Sequence, residues 1–348
     1  MTAREIFFKT LQFGWIKLGL GLLNIVIAVV LFAILMGISV LFNSEGVGAI
    51  MFFIWLGLIG VVNFFLNHYI GYLVKAGHVA VITMAFKTGQ VPANPFETGK
   101  TMVKERFGTS NVYFALDKLV AGSVKQLQRA LGRITDSLLG ALPGADGVKS
   151  LTNMFLDISL GYIDECCLGY TFYNPEQSPY KSAADGVVIY AQNWKTLLKG
   201  AAKTAGTVIL SFIAVLLVAF VIFGGLFRLF GWSGFMAFVI SILLAYTVKY
   251  AFIDSWILVK MMSTYFQVVP TTYITFDLYG KLCKLSGKFK ELFNKSNTEA
   301  QAPHASEAPV LETAGPAAGT GQPQFCPACG KPLVSGKLFC GNCGTRFG

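Results

Sequence analysis

The chain has 348 residues, 54% of them hydrophobic and only 13% charged, with a formal charge of +10 and a mean hydropathy of +0.59. Thirty phenylalanines among so few charges exclude a wholly water-soluble globular body and point to surface solvated by lipid. Cysteine usage excludes a disulfide framework: Cys166 and Cys167 are adjacent, Cys283 stands alone, and the other four fall in one short terminal stretch.

The first residues carry Arg4, Glu5 and Lys9, and no small-residue cleavage site closes the first apolar run. That run is expected to act as its own uncleaved targeting signal. Four segments have the ~20 apolar residues that a ~30 Å hydrocarbon layer requires: 18–42, 49–74, 205–230 and 234–257. The connections at 43–48 and 231–233 are short, so the segments read as two transmembrane helical hairpins.

Charge gives the hairpins a direction. The 43–48 turn holds Glu45 and no Lys or Arg, whereas Lys75, Lys87, Lys100, Lys104 and Arg106 follow the second span. Lys195, Lys199 and Lys203 precede the third, and Lys281, Lys284, Lys288, Lys290 and Lys295 follow the fourth. The positive-inside rule places all of these, and both termini, in the cytosol of a multipass cell-membrane protein, against an anionic inner leaflet. Arg228 near the outer turn dissents, and its long stem permits snorkelling.

Residues 75–203 form a cytosolic or interfacial helical region. Within it, 111–142 alternate apolar pairs with Lys118, Lys125, Gln128, Arg129 and Arg133 at helical spacing. A basic amphipathic helix of this kind lies in the inner headgroup region or packs on other cytosolic helices. Pro143 and Gly144 close it. Segment 152–172 approaches spanning length but carries Asp157, Asp164 and Glu165, which cluster on one face at 100° per residue. A single crossing there would put the Lys-rich flanks on opposite sides, so an interfacial or re-entrant helix is expected, with a fifth span as the alternative.

Polar residues inside apolar spans are costly unless they face partners or a cavity. Asn24 lies in the first span, Asn63 in the second, and Lys249 and Asp254 in the fourth. Asparagines at such positions commonly bond a neighbouring helix. Lys249 can snorkel inward and Asp254 lies near the cytosolic boundary; either can also pair with the acidic face of Asp157, Asp164 and Glu165. Together these residues are candidates for the lining of a polar or cationic solute path. No P-loop, HExxH or GxSxG occurs, and His68 and His78 lack metal-ligand spacing, so no enzyme is expected.

Residues 204–295 take in the second hairpin and a basic juxtamembrane helix. The 296–324 stretch, rich in Ala, Pro, Gly, Thr and Glu, reads as a disordered tether with a reach of about 30 Å. It ends in FCPACGKPLVSGKLFCGNCGTRF at 325–347. Cys326, Cys329, Cys340 and Cys343 form two CxxC knuckles, each followed by Gly, which supply four thiolates for a closed, structural Zn2+ site. Thiolate ligands persist in a reducing compartment, which agrees with a cytosolic C-terminus. The ribbon has only Lys331, Lys337 and Arg346 and no basic–aromatic interleaving, so a protein partner fits better than nucleic acid.

Three pieces of the chain, AGSVKQLQRALGRITDSL at 121–138, YKSAADGVVIYAQNW at 180–194 and AYTVKYAFIDSWILV at 245–259, follow one another in a telling order. Over about 115–266 the chain resembles the membrane core of the choline transporter-like family. The resemblance implies an amphipathic helix, a re-entry, a hairpin and an acidic-ended last span. The chain lacks the length for that family's full set of spans, adds a ribbon, and takes over none of its substrate residues. It also resembles bacterial multipass membrane proteins that end in a zinc ribbon.

The fold expected is an all-α integral membrane protein, two hairpins with amphipathic or interfacial helices, bearing a small C-terminal zinc ribbon. Two functions fit it. One is a transporter-like or channel-like protein for a small polar or cationic solute, acting as a homo-oligomer because four spans enclose little. It requires a polar cavity touching Asn24, Asn63 or Asp254. The other is a membrane adaptor that shapes or senses the inner leaflet and recruits partners through the ribbon, with a packed apolar bundle and a wide cytosolic platform.

The double substitution Cys326→Ser with Cys329→Ser should abolish zinc retention and partner capture while leaving membrane insertion intact. Metal content of the purified protein and its carbonate-resistant membrane fraction check both halves; loss of insertion would show that the ribbon has a different role.

Overall fold

The computed structural model describes residues 1–42, 45–108, 110–139, 162–229 and 234–301. The chain divides into units 1–302 and 303–348. The four ribbon cysteines, Asp157 and most of the expected tether lie outside the described residues.

The described residues are helical almost throughout, with no strand. Helix α1, Ala3–Lys9, starts with a capping box: the Glu5 amide donates to Thr2 Oγ1 at 3.3 Å, and the Thr2 amide to Glu5 Oε2 at 2.8 Å. Next come α2 (Leu11–Leu41) and α3 (Glu45–Phe65), the first hairpin. A π-helical turn, Leu66–Gly71, joins α3 to α4 (Tyr72–Thr88). Helices α5 (Pro95–Phe107), α6 (Ser110–Leu139) and α7 (Ile163–Tyr173) follow. The long α8 (Pro179–Leu229) and α9 (Gly234–Val248) form the second hairpin. A second π-helical turn, Lys249–Ile253, leads to α10 (Asp254–Val268), and a 3₁₀ turn, Val269–Thr271, leads toward α11 (Phe276–Leu285) and α12 (Gly287–Gln301).

Among the described residues, four helical stretches are long and apolar enough to cross a bilayer: Leu11–Leu41, Gly46–Thr88, Ile209–Leu226 and Ser241–Thr271. Large apolar side chains stand exposed along them, Phe53 at 71% and Val221 at 73%, a continuous apolar surface that water would not tolerate. The second and fourth stretches run past their apolar parts, through the π turns, into a helical body. There Val79, Ile82, Leu168, Val187, Met262 and Tyr265 are fully or almost fully buried, in one contiguous core. The third stretch is the far end of α8, whose near end lies in the same body. Asn193 kinks α8 (φ −107°, ψ 15°), its amide donating to Ile189 O at 3.0 Å and Thr272 Oγ1 at 2.8 Å.

The structure bears on three expectations. The amphipathic helix, observed as Ser110–Leu139, packs on other helices, one of the two placements expected for it: Tyr113, Leu116, Val120, Val124 and Leu127 are buried, because α8 and α12 pack over its apolar stripe. The acidic segment, where described, is α7. Its 11 residues, Ile163–Tyr173, pack against α4, α8 and α10; residues 152–161 of the segment lie outside the described residues. Finally, α12 runs on to Gln301, past the start of the expected tether, because Phe289 and Leu292 anchor it in the core.

The helices of the body approach closely where glycine allows. A Cβ on Gly99 of α5 would lie 2.5 Å from the Gly77 carbonyl oxygen of α4. Gly99→Ala should therefore destabilise the protein by about 1–3 kcal/mol, although alanine favours the helix by ~1 kcal/mol. Gly57→Ala, with no atom within 4 Å of the added carbon, should be neutral or stabilising. Thermal midpoints in detergent compare the two; equal stability for Gly99→Ala and wild type would contradict the packing.

Candidate functional site

A cavity of about 520 Å³ opens between α2, α3, α4 and α9. Its size is that of a small-molecule pocket. The wall is apolar at Leu20, Ile25, Leu66 and Leu243, and polar at Asn24, Asn63, Tyr72, Lys75, Tyr246, Thr247 and Tyr250. Both π turns contribute, through Leu66 and Gly71 from the first and Tyr250 from the second. A π turn inserts an extra residue and rotates the side chains beyond it, a distortion often found at functional sites. Here Tyr72 and Lys75 follow directly on the first turn.

Asn24 donates through Nδ2 to Asn63 Oδ1 at 3.1 Å, tying α2 to α3 on the cavity wall. Trp55 Nε1 donates to Ala28 O at 2.9 Å further along the same hairpin. On the far side, α2 meets the second π turn and α9 through glycines. A Cβ on Gly21 would lie 2.5 Å from Thr247 Cγ2, and one on Gly14 would lie 3.0 Å from the Phe252 ring.

Lys75 belongs to two environments. It lines the cavity, and its ammonium pairs with the Glu165 carboxylate of α7. Lys75 is 35% exposed and Glu165 1% exposed at the side chain, so the pair sits at the boundary between cavity and core. Behind it, single carboxylate oxygens of Asp117, Asp164 and Glu165 all lie within 4.8 Å of one another. Burial raises the Asp164 carboxyl well above the usual carboxylate range; Glu165 and Asp117 push the same way, and Lys75 opposes them. Burial raises Glu165 as well, against the pull of Lys75. The Tyr113 hydroxyl stands in the field of all three carboxylates and is raised by burial and by their charge.

A second polar group adjoins the first. Lys249 Nζ donates to Asp254 Oδ1 at 2.8 Å and Oδ2 at 3.0 Å across the second π turn. Lys17, 4% exposed on α2, donates to Ser255 Oγ at 3.0 Å. Its ammonium also stands 5.8 Å from the Tyr250 ring centroid. His78 is buried behind Phe13, stacked on that ring with centroids 4.7 Å apart and hydrogen-bonded to Thr10 Oγ1 at 3.1 Å. It faces neither the cavity nor the carboxylates.

Of the candidates read from sequence, Asn24 and Asn63 meet each other at the cavity, and Asp164 and Glu165 meet in the core. Lys249 and Asp254 pair with each other, a pairing that was not among the options read for them. Glu165 takes Lys75 instead. Asp157 lies outside the described residues, as do Cys326, Cys329, Cys340 and Cys343. Sequence reasoning missed Lys75, counted only as a flanking charge, and Asp117, Tyr113 and Lys17. A signal existed for Asp117: with Tyr113, Val120, Val124 and Leu127 it falls on the apolar stripe of its helix, where a charge is out of place.

No protein-family model, no curated protein and no solved structure matches this chain.

Lys75→Met should leave the buried Glu165 carboxylate without its partner and lower stability by about 1–3 kcal/mol. Adding Glu165→Gln should restore part of the loss. A double-mutant cycle on thermal midpoints measures the coupling; additive effects would mean the pair contributes nothing to folding.

Proposed function

We propose that the chain is a transporter-like or channel-like membrane protein for a small polar or cationic solute, which enters the cavity between the hairpins. The observation that carries this reading is the cavity itself. Its polar groups, Asn24, Asn63, Tyr72, Thr247 and Lys75, line one cavity among helices otherwise faced with leucine, isoleucine, valine and phenylalanine. Helices that only anchor a protein have no need of such groups, since each polar side chain in lipid costs free energy. The resemblance of 115–266 to the choline transporter-like core supports the same class.

In this reading the two hairpin turns lie outside, and the helical body, both termini and the zinc ribbon lie in the cytosol. The lysines of α11 and α12 then face the anionic leaflet. The ribbon, holding structural Zn2+, recruits a cytosolic protein. Assembly of several copies would widen the path, since four spans enclose little.

The adaptor reading keeps one observation in its favour. Most of the buried core lies in the helical body and not between the candidate spans, so a broad platform exists beside the hairpins. Under that reading the cavity is incidental.

Uptake into proteoliposomes separates the two. With a panel of radiolabelled small organic cations and zwitterions, at least one should accumulate above protein-free vesicles. Asn63→Leu and Asp254→Asn should each lower that uptake by about tenfold, a loss near ~1.4 kcal/mol in the productive complex. Wild-type protein that transports none of the panel, or variants that match wild type, would favour the adaptor.

A further inference from the structure

The cluster behind Lys75 is short of positive charge. Three carboxylates, from Asp117 on α6 and from Asp164 and Glu165 on α7, stand together, and among the described residues the one cation paired with them is Lys75. The next nearest ammonium, Lys17, is bonded to Ser255 and not to a carboxylate, and Lys249 is committed to Asp254. With all three carboxylates ionised, as a bound cation would require, the described residues supply at most two positive charges, Lys75 and Lys17. Asp117 and Glu165 are 6% and 1% exposed, so water does little to screen the deficit.

Two buried polar atoms are left over at the same place. Asp117 Oδ1 has no hydrogen-bond partner. Neither does the hydroxyl of Tyr113, a residue only 2% exposed whose oxygen stands in the field of all three carboxylates. Tyr72 packs edge-to-face on Tyr113 with ring centroids 5.2 Å apart, fixing that ring from the cavity side.

We propose that Asp117, Asp164 and Glu165, with the Tyr113 hydroxyl beside them, form a binding site for a hard divalent cation of calcium size, for which the Lys75 ammonium is a tethered competitor. The dimensions fit. Three oxygens within 4.8 Å of one another share a centre no more than about 2.8 Å from each, a small adjustment from the calcium–oxygen distance of about 2.3–2.6 Å, whereas magnesium needs a tighter, octahedral set. Charge fits as well, because a divalent ion in place of the Lys75 ammonium offsets two of the three carboxylate charges instead of one. Lys75 can withdraw into the cavity that it already lines, so cation binding and cavity occupancy become coupled through one side chain. The inference goes beyond the transport reading and is tested without it.

The test is equilibrium dialysis of ⁴⁵Ca2+ against the full chain, zinc-loaded, in phosphatidylcholine nanodiscs. Thiolates are poor calcium ligands, so the ribbon does not interfere. One saturable Ca2+ per chain is expected. Asp117→Asn and Glu165→Gln should each weaken it by about tenfold or more, and Lys75→Met should tighten it, because the competitor is gone. A gain in affinity cannot arise from misfolding, which keeps the Lys75→Met arm informative even if the acidic variants fold poorly. No saturable binding up to about 10⁻³ M, the weak end of protein calcium sites, would overturn the proposal. So would binding unchanged in an Asp117→Asn protein that remains monodisperse. Because dialysis reads equilibrium binding, its failure leaves the transport reading standing, and failed uptake leaves the cation site standing.

Discussion

Burying a carboxylate in a helical core costs several kcal/mol unless a cation or hydrogen bonds replace the lost water. Three of them meet behind Lys75, and the arrangement of the surrounding helices follows from how that cost is met. Helix α7 must reach far enough toward α4 for Glu165 to meet the ammonium, and α6 must turn Asp117 inward although the rest of its inner stripe is apolar. Lys75 can serve only because the first π turn ends just before Tyr72, setting the direction of the residues beyond it. The cavity and the charged cluster are thus two sides of one junction.

The two π turns give that junction a repeated construction. Each follows the second helix of a hairpin, α3 in one case and α9 in the other, and each feeds a helix of the buried body. The spans are therefore not separate from the body; α4 and α10 are their continuations. A displacement of either hairpin would be passed rigidly into the core, since α4 touches α5 and α7, and α10 touches α7 and α8. Glycine at the crossings, Gly99 on Gly77 and Gly186 on the Cys167 backbone, holds these helices too close for independent adjustment.

Reading from sequence went well where one physical term dominates. Four long apolar runs, the short turns between them and the helical class follow from hydropathy and length, and the helices appear where these place them. It went less well where two terms compete. The stripe of α6 is equally suited to lipid headgroups and to other helices, and only the presence of α8 and α12 over it decides between them. Asn24 and Asn63 were legible as costly residues in need of partners, and they found each other. Lys249 and Asp254, five residues apart, were also legible as charged, but their pairing with each other was not, because the intervening π turn changes which side chains share a face.

What the sequence determined by itself is local and additive: apolar length, the sign of the flanking charge, the cap at Thr2, and the thiolate spacing of the terminal knuckles. What only the tertiary structure decided is which charges meet. Lys75 and Glu165 are ninety residues apart in the chain, and Asp117 lies between them on a third helix. Composition cannot reveal that encounter, because the free energy of a buried charge depends on the few ångströms around it. Those are set by the packing of α4, α6 and α7.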